Sequence, residues 1–121
     1  MTDSDYVAVI RFSDSADLAP VGDSDGRRLV QATSTAKAEL ATWIDSSLKA
    51  TGGTRYYAAL DAALSALEAT SSRSDCTQTI LFISDGHPDA GSWTDAQASA
   101  VAERSRALGA RVFTYALGGG A

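Results

Sequence analysis

Two polar side chains in this chain of 121 residues are placed where their oxygen atoms could hold a hard cation. Asp85 directly follows a strand-like run that ends at Ser84, and it precedes Gly86. Thr54 follows two glycines and opens a helical pattern. Carboxylate and hydroxyl oxygens are ligands that Mg²⁺ takes from proteins. Each residue also has a purely structural explanation: an Asp-Gly turn for Asp85 and a helix N-cap for Thr54.

Enzymatic chemistry has little support in the residue types. His87 is the only histidine, and it stands in a polar loop beside Asp85 and Asp89. A Ser-His-Asp arrangement would need this histidine, but no Gly-x-Ser-x-Gly nucleophile motif occurs. One histidine and one cysteine, Cys76, are too few for a zinc site. We therefore expect a protein that is not an enzyme.

Two further patterns are compositional only. The glycines at 118–120 lie outside any Gly-x-Gly-x-x-Gly or Gly-x4-Gly-Lys-Ser/Thr motif, so they do not indicate a phosphate loop. The acidic stretch over residues 14–25 lacks the fixed spacing and the terminal glutamate of a helix-loop-helix calcium site. Both patterns fit solvated loops.

Composition and charge exclude several classes of partner. The chain is 45% hydrophobic and 21% charged, which is typical of a folded domain and not of a disordered tail. Its net charge is −5 and its basic residues are scattered, so nucleic acid is not expected as a partner. No apolar run reaches the roughly 18 residues of a membrane helix, and no signal-peptide pattern occurs, so we expect no direct membrane contact. The single cysteine excludes an internal disulfide.

The elements that must position Thr54 and Asp85 alternate between strands and helices. Hydrophobic periodicity and turn residues mark their limits. The predicted elements are strands at 6–12 and 16–21, helices at 34–50 and 55–70, a strand at 77–84, a helix that Thr94 or Ser92 caps and that ends at Leu108, and a strand at 111–117. Residues expected on the apolar helix faces are Ala36, Leu40, Trp43, Ile44, Leu48, Tyr56, Leu60, Ala63, Leu64, Leu67, Ala98, Val101, Ala102 and Leu108.

This order predicts an α/β fold with a mostly parallel sheet and helices on both faces. The strand at 77–84 has a continuous apolar centre, which indicates burial on both faces. Ligands of such sheets bind at the carboxyl ends of the strands. The loops after Phe12, around Thr54 and at Asp85 are therefore the candidate site.

Four segments, in order and spacing, resemble one known family. They are a strand ending in Phe-Ser at 7–14, a Gly-Gly-Thr-x-x-x-x-Ala-Leu run at 52–60, a strand ending in Asp-Gly at 80–86, and the strand at 111–118. The chain resembles a von Willebrand factor type A domain. The residues at 29–32 and Cys76 are most similar to the type A domains of calcium-channel alpha-2/delta subunits and their VWA-Cache relatives.

The resemblance implies a fold and a site. The fold is a doubly wound three-layer sandwich with strand order 3-2-1-4-5-6, of which residues 1–121 correspond to the second through fifth strands. The first central strand and its Asp-x-Ser-x-Ser motif have no counterpart here. The site is a metal-ion-dependent adhesion site holding Mg²⁺, Ca²⁺ or Mn²⁺. Its metal ligands here are Thr54 and Asp85, and its partner-binding residues are Ser13, Gly53, Arg55, Gly86 and His87.

Three functions follow as expectations from this resemblance. The first is binding of a protein partner's carboxylate through the divalent cation, on the extracellular side of a membrane-anchored or secreted parent. The second is an accessory, alpha-2/delta-like domain of a membrane channel complex. The third is an intracellular module of an assembly or chelatase complex. Two oxygen side chains rarely hold Mg²⁺ alone, so we expect weak metal binding by this chain. We also expect the strands at 6–12 and 77–84 either to pair directly or to leave an open slot.

Overall fold

The computed structural model describes residues 5–20, 29–47, 54–69, 77–84 and 93–116. Of the predicted site and core, Leu48, Gly53, Cys76, Asp85, Gly86 and His87 lie outside these ranges. The strands are Tyr6–Val7 (β1), Ile10–Phe12 (β2), Ala16–Leu18 (β3), Val30–Gln31 (β4), Thr79–Ser84 (β5) and Arg111–Ala116 (β6). The helices are Ser34–Ser47 (α1), Tyr56–Ala69 (α2) and Asp95–Leu108 (α3). None of the described helices is long and apolar enough to cross a bilayer.

The strands pair two by two. β1 pairs antiparallel with β4, β2 pairs antiparallel with β3, and β5 pairs parallel with β6. The single strand predicted at 6–12 is therefore wrong in detail, because it divides into β1 and β2 with separate partners. The β4 strand was not predicted. Two residues are too short to show a strand-like hydrophobic pattern, and β4 is defined only by its pairing with β1.

A parallel pair of strands confirms the α/β character of the fold. In the described ranges it is the only parallel ladder, so the expectation of a mostly parallel sheet holds for β5 and β6 alone. No ladder joins β2 to β5 within those ranges. Within those ranges the two strands thus do not pair directly, and the open slot stays a prediction.

Helix α1 packs on the antiparallel strands. Thr33 caps its start, because the Thr33 hydroxyl accepts a hydrogen bond from the backbone N–H of Ala36 at 3.1 Å. Ala36 and Leu40 are buried together with Ala19. Around them pack the partly buried Val7, Val9, Val30 and Trp43. Ala36, Leu40 and Trp43 of the predicted stripe thus belong to one of the two hydrophobic clusters found among the described residues, whereas Ile44 does not.

The second and larger cluster lies between α2, α3 and the parallel strands. Its buried members are Leu60, Leu64, Leu67, Ile80 and Val101, which agrees with the predicted faces of α2 and α3. One predicted member is wrong: Ala102 is exposed. The buried position on that side of α3 is Ser105. A short alanine-rich helix with few large apolar residues defines its face poorly, so packing on α2 decides its rotation.

Among the described residues, helices cover one face of the parallel pair. Ile80 is buried at 8% exposure, whereas Leu81 and Ile83 are 63% and 52% exposed. Their partners in register on β6, Phe113 and Tyr115, are also exposed. The prediction that β5 is buried on both faces is therefore wrong, because α2 and α3 pack on the Ile80 side and leave the alternate side chains in solvent.

Candidate functional site

The candidate site lies where β2 ends and α2 begins. Ser13 follows β2 directly, and Thr54 stands two residues before the first residue of α2; both are half-buried. The backbone N–H of Arg55 donates to the carbonyl oxygen of Ser13 at 3.0 Å. Two of the predicted loops are therefore joined by a backbone hydrogen bond, although 40 or so residues separate them along the chain.

The loop after β2 is fixed on its own side as well. The backbone N–H of Ser13 donates to the carbonyl oxygen of Ser15 at 2.9 Å. Both backbone polar groups of Ser13 are thus hydrogen-bonded, which holds this residue in place beside Thr54. The Arg55 side chain is exposed, so its guanidinium is accessible to a partner.

The carboxyl end of β5 approaches the same region through Tyr56. The Tyr56 hydroxyl lies 3.5 Å from the Ser84 Oγ and donates a hydrogen bond to it. Ser84 is the last residue of β5, and Asp85 follows it in the sequence. The position of Asp85 relative to Thr54 lies outside the described residues, as do Gly53, Gly86 and His87, so their roles stay predictions.

An aromatic cluster of Phe12, Tyr56, Phe82 and Trp93 underlies this edge. The Phe12 and Phe82 rings stack with centroids 5.3 Å apart. The Tyr56 ring meets the other three edge-on, at 4.9 Å from Phe82, 6.1 Å from Trp93 and 6.4 Å from Phe12. Such edge-to-face contacts stabilise beyond the burial of apolar area alone. The cluster therefore links β2, α2, β5 and the start of α3.

Sequence reasoning placed Tyr56 on the apolar stripe of α2 and gave Trp93 no role. One signal was available: Phe12 directly precedes Ser13, and Tyr56 lies two residues after Thr54. Aromatic residues next to candidate ligands indicate an apolar support beneath them. The contact with Trp93 had no such signal, because nothing local relates residue 93 to these loops.

The side-chain oxygen atoms at this edge are of a type that hard cations bind. Ser13 and Thr54 offer hydroxyl oxygens, the donor type that Mg²⁺ accepts alongside carboxylates. Among the described residues, no group of three or more His, Cys, Asp or Glu side chains could hold a metal. The described donors are therefore of the right chemistry but uncharged, and weak metal binding stays a prediction.

Comparison with known proteins supports the order of these elements. The sequence model of the von Willebrand factor type A domain matches residues 1–121, the whole chain. No curated protein and no solved structure matches this chain. The narrower similarity to alpha-2/delta subunits therefore stays a prediction. The family implies a Rossmann-like α/β fold, with which the described helices and the parallel β5–β6 pair agree. The chain belongs to the von Willebrand factor type A domain family.

Proposed function

We propose that this chain is a protein-interaction module that binds its partner at the edge formed by Ser13, Thr54 and the end of β5. Type A domains are generally protein-interaction or adhesion modules. The observation that carries the proposal is the hydrogen bond from Arg55 to Ser13, which joins two of the predicted loops at this edge. The Tyr56–Ser84 contact lies at the same edge and adds a second strand end, that of β5.

The proposed chemistry is recognition of a carboxylate through a divalent cation. Thr54 and Asp85 would hold the ion, which supplies a positive charge with a coordination position open to an oxygen of the partner. The exposed Arg55 beside this position adds a guanidinium, which forms charge-assisted hydrogen bonds with carboxylates. We expect a dissociation constant on the order of millimolar for Mg²⁺, since so few ligands are charged.

A titration with Mn²⁺ followed by nuclear magnetic resonance tests this proposal. The paramagnetic ion should broaden the amide signals of Ser13, Arg55 and Ser84 before that of Thr79, at the opposite end of β5. Thr54→Ala should weaken the binding by about tenfold or more, since even residues that only support a metal ligand commonly account for that much. Asp85→Ala should abolish it.

The matched control is Thr42→Ala, which removes the same hydroxyl from an exposed position on α1. This variant should bind Mn²⁺ as the unsubstituted chain does. Broadening that spreads evenly over the acidic surface, or that survives Asp85→Ala, would show that the ion binds without the proposed site.

A further inference from the structure

We propose that Tyr56 is a positioning residue for this edge: its hydroxyl holds the carboxyl end of β5 while its ring sets the separation of β5 from β2. The inference rests on the proposed function, since it concerns how the same site is kept in shape. It assigns Tyr56 no contact with the ion or the partner.

The need for such a residue comes from the sheet. No ladder joins β2 to β5 in the part of the chain that the structure describes. Among the described residues, side-chain contacts and not a backbone ladder therefore join these two strand ends. The stacked pair Phe12–Phe82 bridges them, and the Tyr56 ring closes on both members of that pair.

The start of α2 makes contacts in both directions. On one side the backbone N–H of Arg55 binds the carbonyl oxygen of Ser13, after β2. On the other side the Tyr56 hydroxyl binds the Ser84 Oγ, at the end of β5. The consecutive residues Arg55 and Tyr56 thus hydrogen-bond to both strand ends at the start of α2. The buried Leu60 and Leu64 fix the position of this helix.

The hydroxyl and the ring of Tyr56 have separable effects. Tyr56→Phe keeps the ring and its three aromatic contacts but removes the hydrogen bond to Ser84. The end of β5 then loses one restraint directly before Asp85. At an oxygen–oxygen distance of 3.5 Å the Tyr56–Ser84 hydrogen bond is long, so its loss should change an equilibrium by about two- to threefold. The packing of the two hydrophobic clusters should be unaffected.

The experiment compares Tyr56→Phe, Ser84→Ala and the double variant in the full chain. Two quantities are measured by nuclear magnetic resonance: the Mn²⁺ dissociation constant and the hydrogen-exchange rate of the Ser84 amide. Each single variant should weaken Mn²⁺ binding by about two- to threefold and accelerate exchange at Ser84 by a similar factor. The double variant should lose less than the two single losses combined, because both substitutions remove the Tyr56–Ser84 contact.

The control is Tyr57→Phe, which removes the neighbouring hydroxyl from a half-buried ring that packs on the larger cluster. Thermal midpoints of all variants show whether the chain remains folded. If Tyr56→Phe matches Tyr57→Phe in both exchange at Ser84 and Mn²⁺ affinity, the Tyr56 hydroxyl does not hold the end of β5 and the inference fails. A change in thermal midpoint alone would overturn the inference as well. If the unsubstituted chain binds no Mn²⁺, the proposed function fails, and the exchange rate at Ser84 alone decides the role of Tyr56.

Discussion

At the scale of single residues, Arg104 makes the best-defined polar contacts between helices. Its Nη1 lies 2.6 Å from the Asp61 Oδ1 and its Nη2 lies 2.5 Å from the Glu68 Oε1. Its Nη2 also lies 3.3 Å from the Ser65 Oγ. One guanidinium on α3 therefore bridges two turns of α2, in the forked geometry that arginine can form and lysine cannot.

These contacts raise the pKa of Arg104, chiefly through the hydrogen bond to Glu68, while burial of the guanidinium opposes the rise. A raised pKa for a basic group means that its stabilisation is present below the ordinary pKa of arginine and is lost only at strongly alkaline pH. The charge of Arg104 itself therefore adds no pH dependence near neutrality. Its contribution is better tested by salt than by pH.

Arg104→Met should lower the free energy of unfolding by about 1 kcal/mol, because the acidic partners are nearly half exposed and solvent weakens the pairs. Urea denaturation at low salt and at high salt measures this difference. The loss should shrink as salt screens the charges. Arg106→Met, an exposed position on the same helix, is the control and should cost less. An equal loss in both variants would show that Arg104 acts by helix propensity alone.

At the scale of elements, the ends of α3 are defined by local signals. Thr94 and Gln97 form a reciprocal capping box at its start. Gly109 ends it in the left-handed conformation, with φ at 69°. The N–H of Gly109 donates to the Arg106 carbonyl, and the next N–H donates to the Ser105 carbonyl, where the chain turns into β6. These are signals that a single sequence carries: the end of α3 at Leu108 agrees with the prediction, and of the two predicted caps, Thr94 and Ser92, the structure has Thr94.

Gly109→Ala should lower the free energy of unfolding by about 1 kcal/mol. A Cβ at this position would meet nothing within 4 Å, so the cost comes from the positive φ and not from a clash. Gly109→Asn should cost clearly less, since asparagine adopts the left-handed region more readily than alanine. Thermal and urea unfolding of both variants provide the measurement. Equal losses for Ala and Asn would point to a steric cause that the structure does not show.

Features that depend on contacts between residues far apart in the chain could not be predicted from the sequence. The division of the 6–12 strand into β1 and β2 follows from separate partners at Val30–Gln31 and Ala16–Leu18. The Tyr56–Ser84 contact joins residues 28 positions apart. The meeting of Ser13 with Arg55 was foreseeable only through the general rule that ligands bind at strand ends. Local propensity predicts where elements begin and end, whereas tertiary contacts decide which side chains meet.

At the scale of the whole molecule, the two faces of β5 differ in what they contribute. Ile80 packs among Leu60, Leu64 and Val101 in the larger cluster. Leu81 points to the other side and stays 63% exposed, in register with the exposed Phe113. Adjacent residues of one strand, both aliphatic, therefore lie in opposite environments, which permits a matched comparison.

Ile80→Ala should lower the free energy of unfolding by roughly 2–4 kcal/mol, because it removes buried methylene groups and leaves a cavity. Leu81→Ala should change it by no more than about 0.5 kcal/mol, since little apolar area leaves water at that position in the folded chain. Urea denaturation of the two variants, with the slope checked for constancy, measures the contrast. A loss at Leu81 as large as that at Ile80 would mean that the alternate face of the parallel pair is covered in solution. The helices α2 and α3 would then account for only half of the layer packing that a parallel sheet requires.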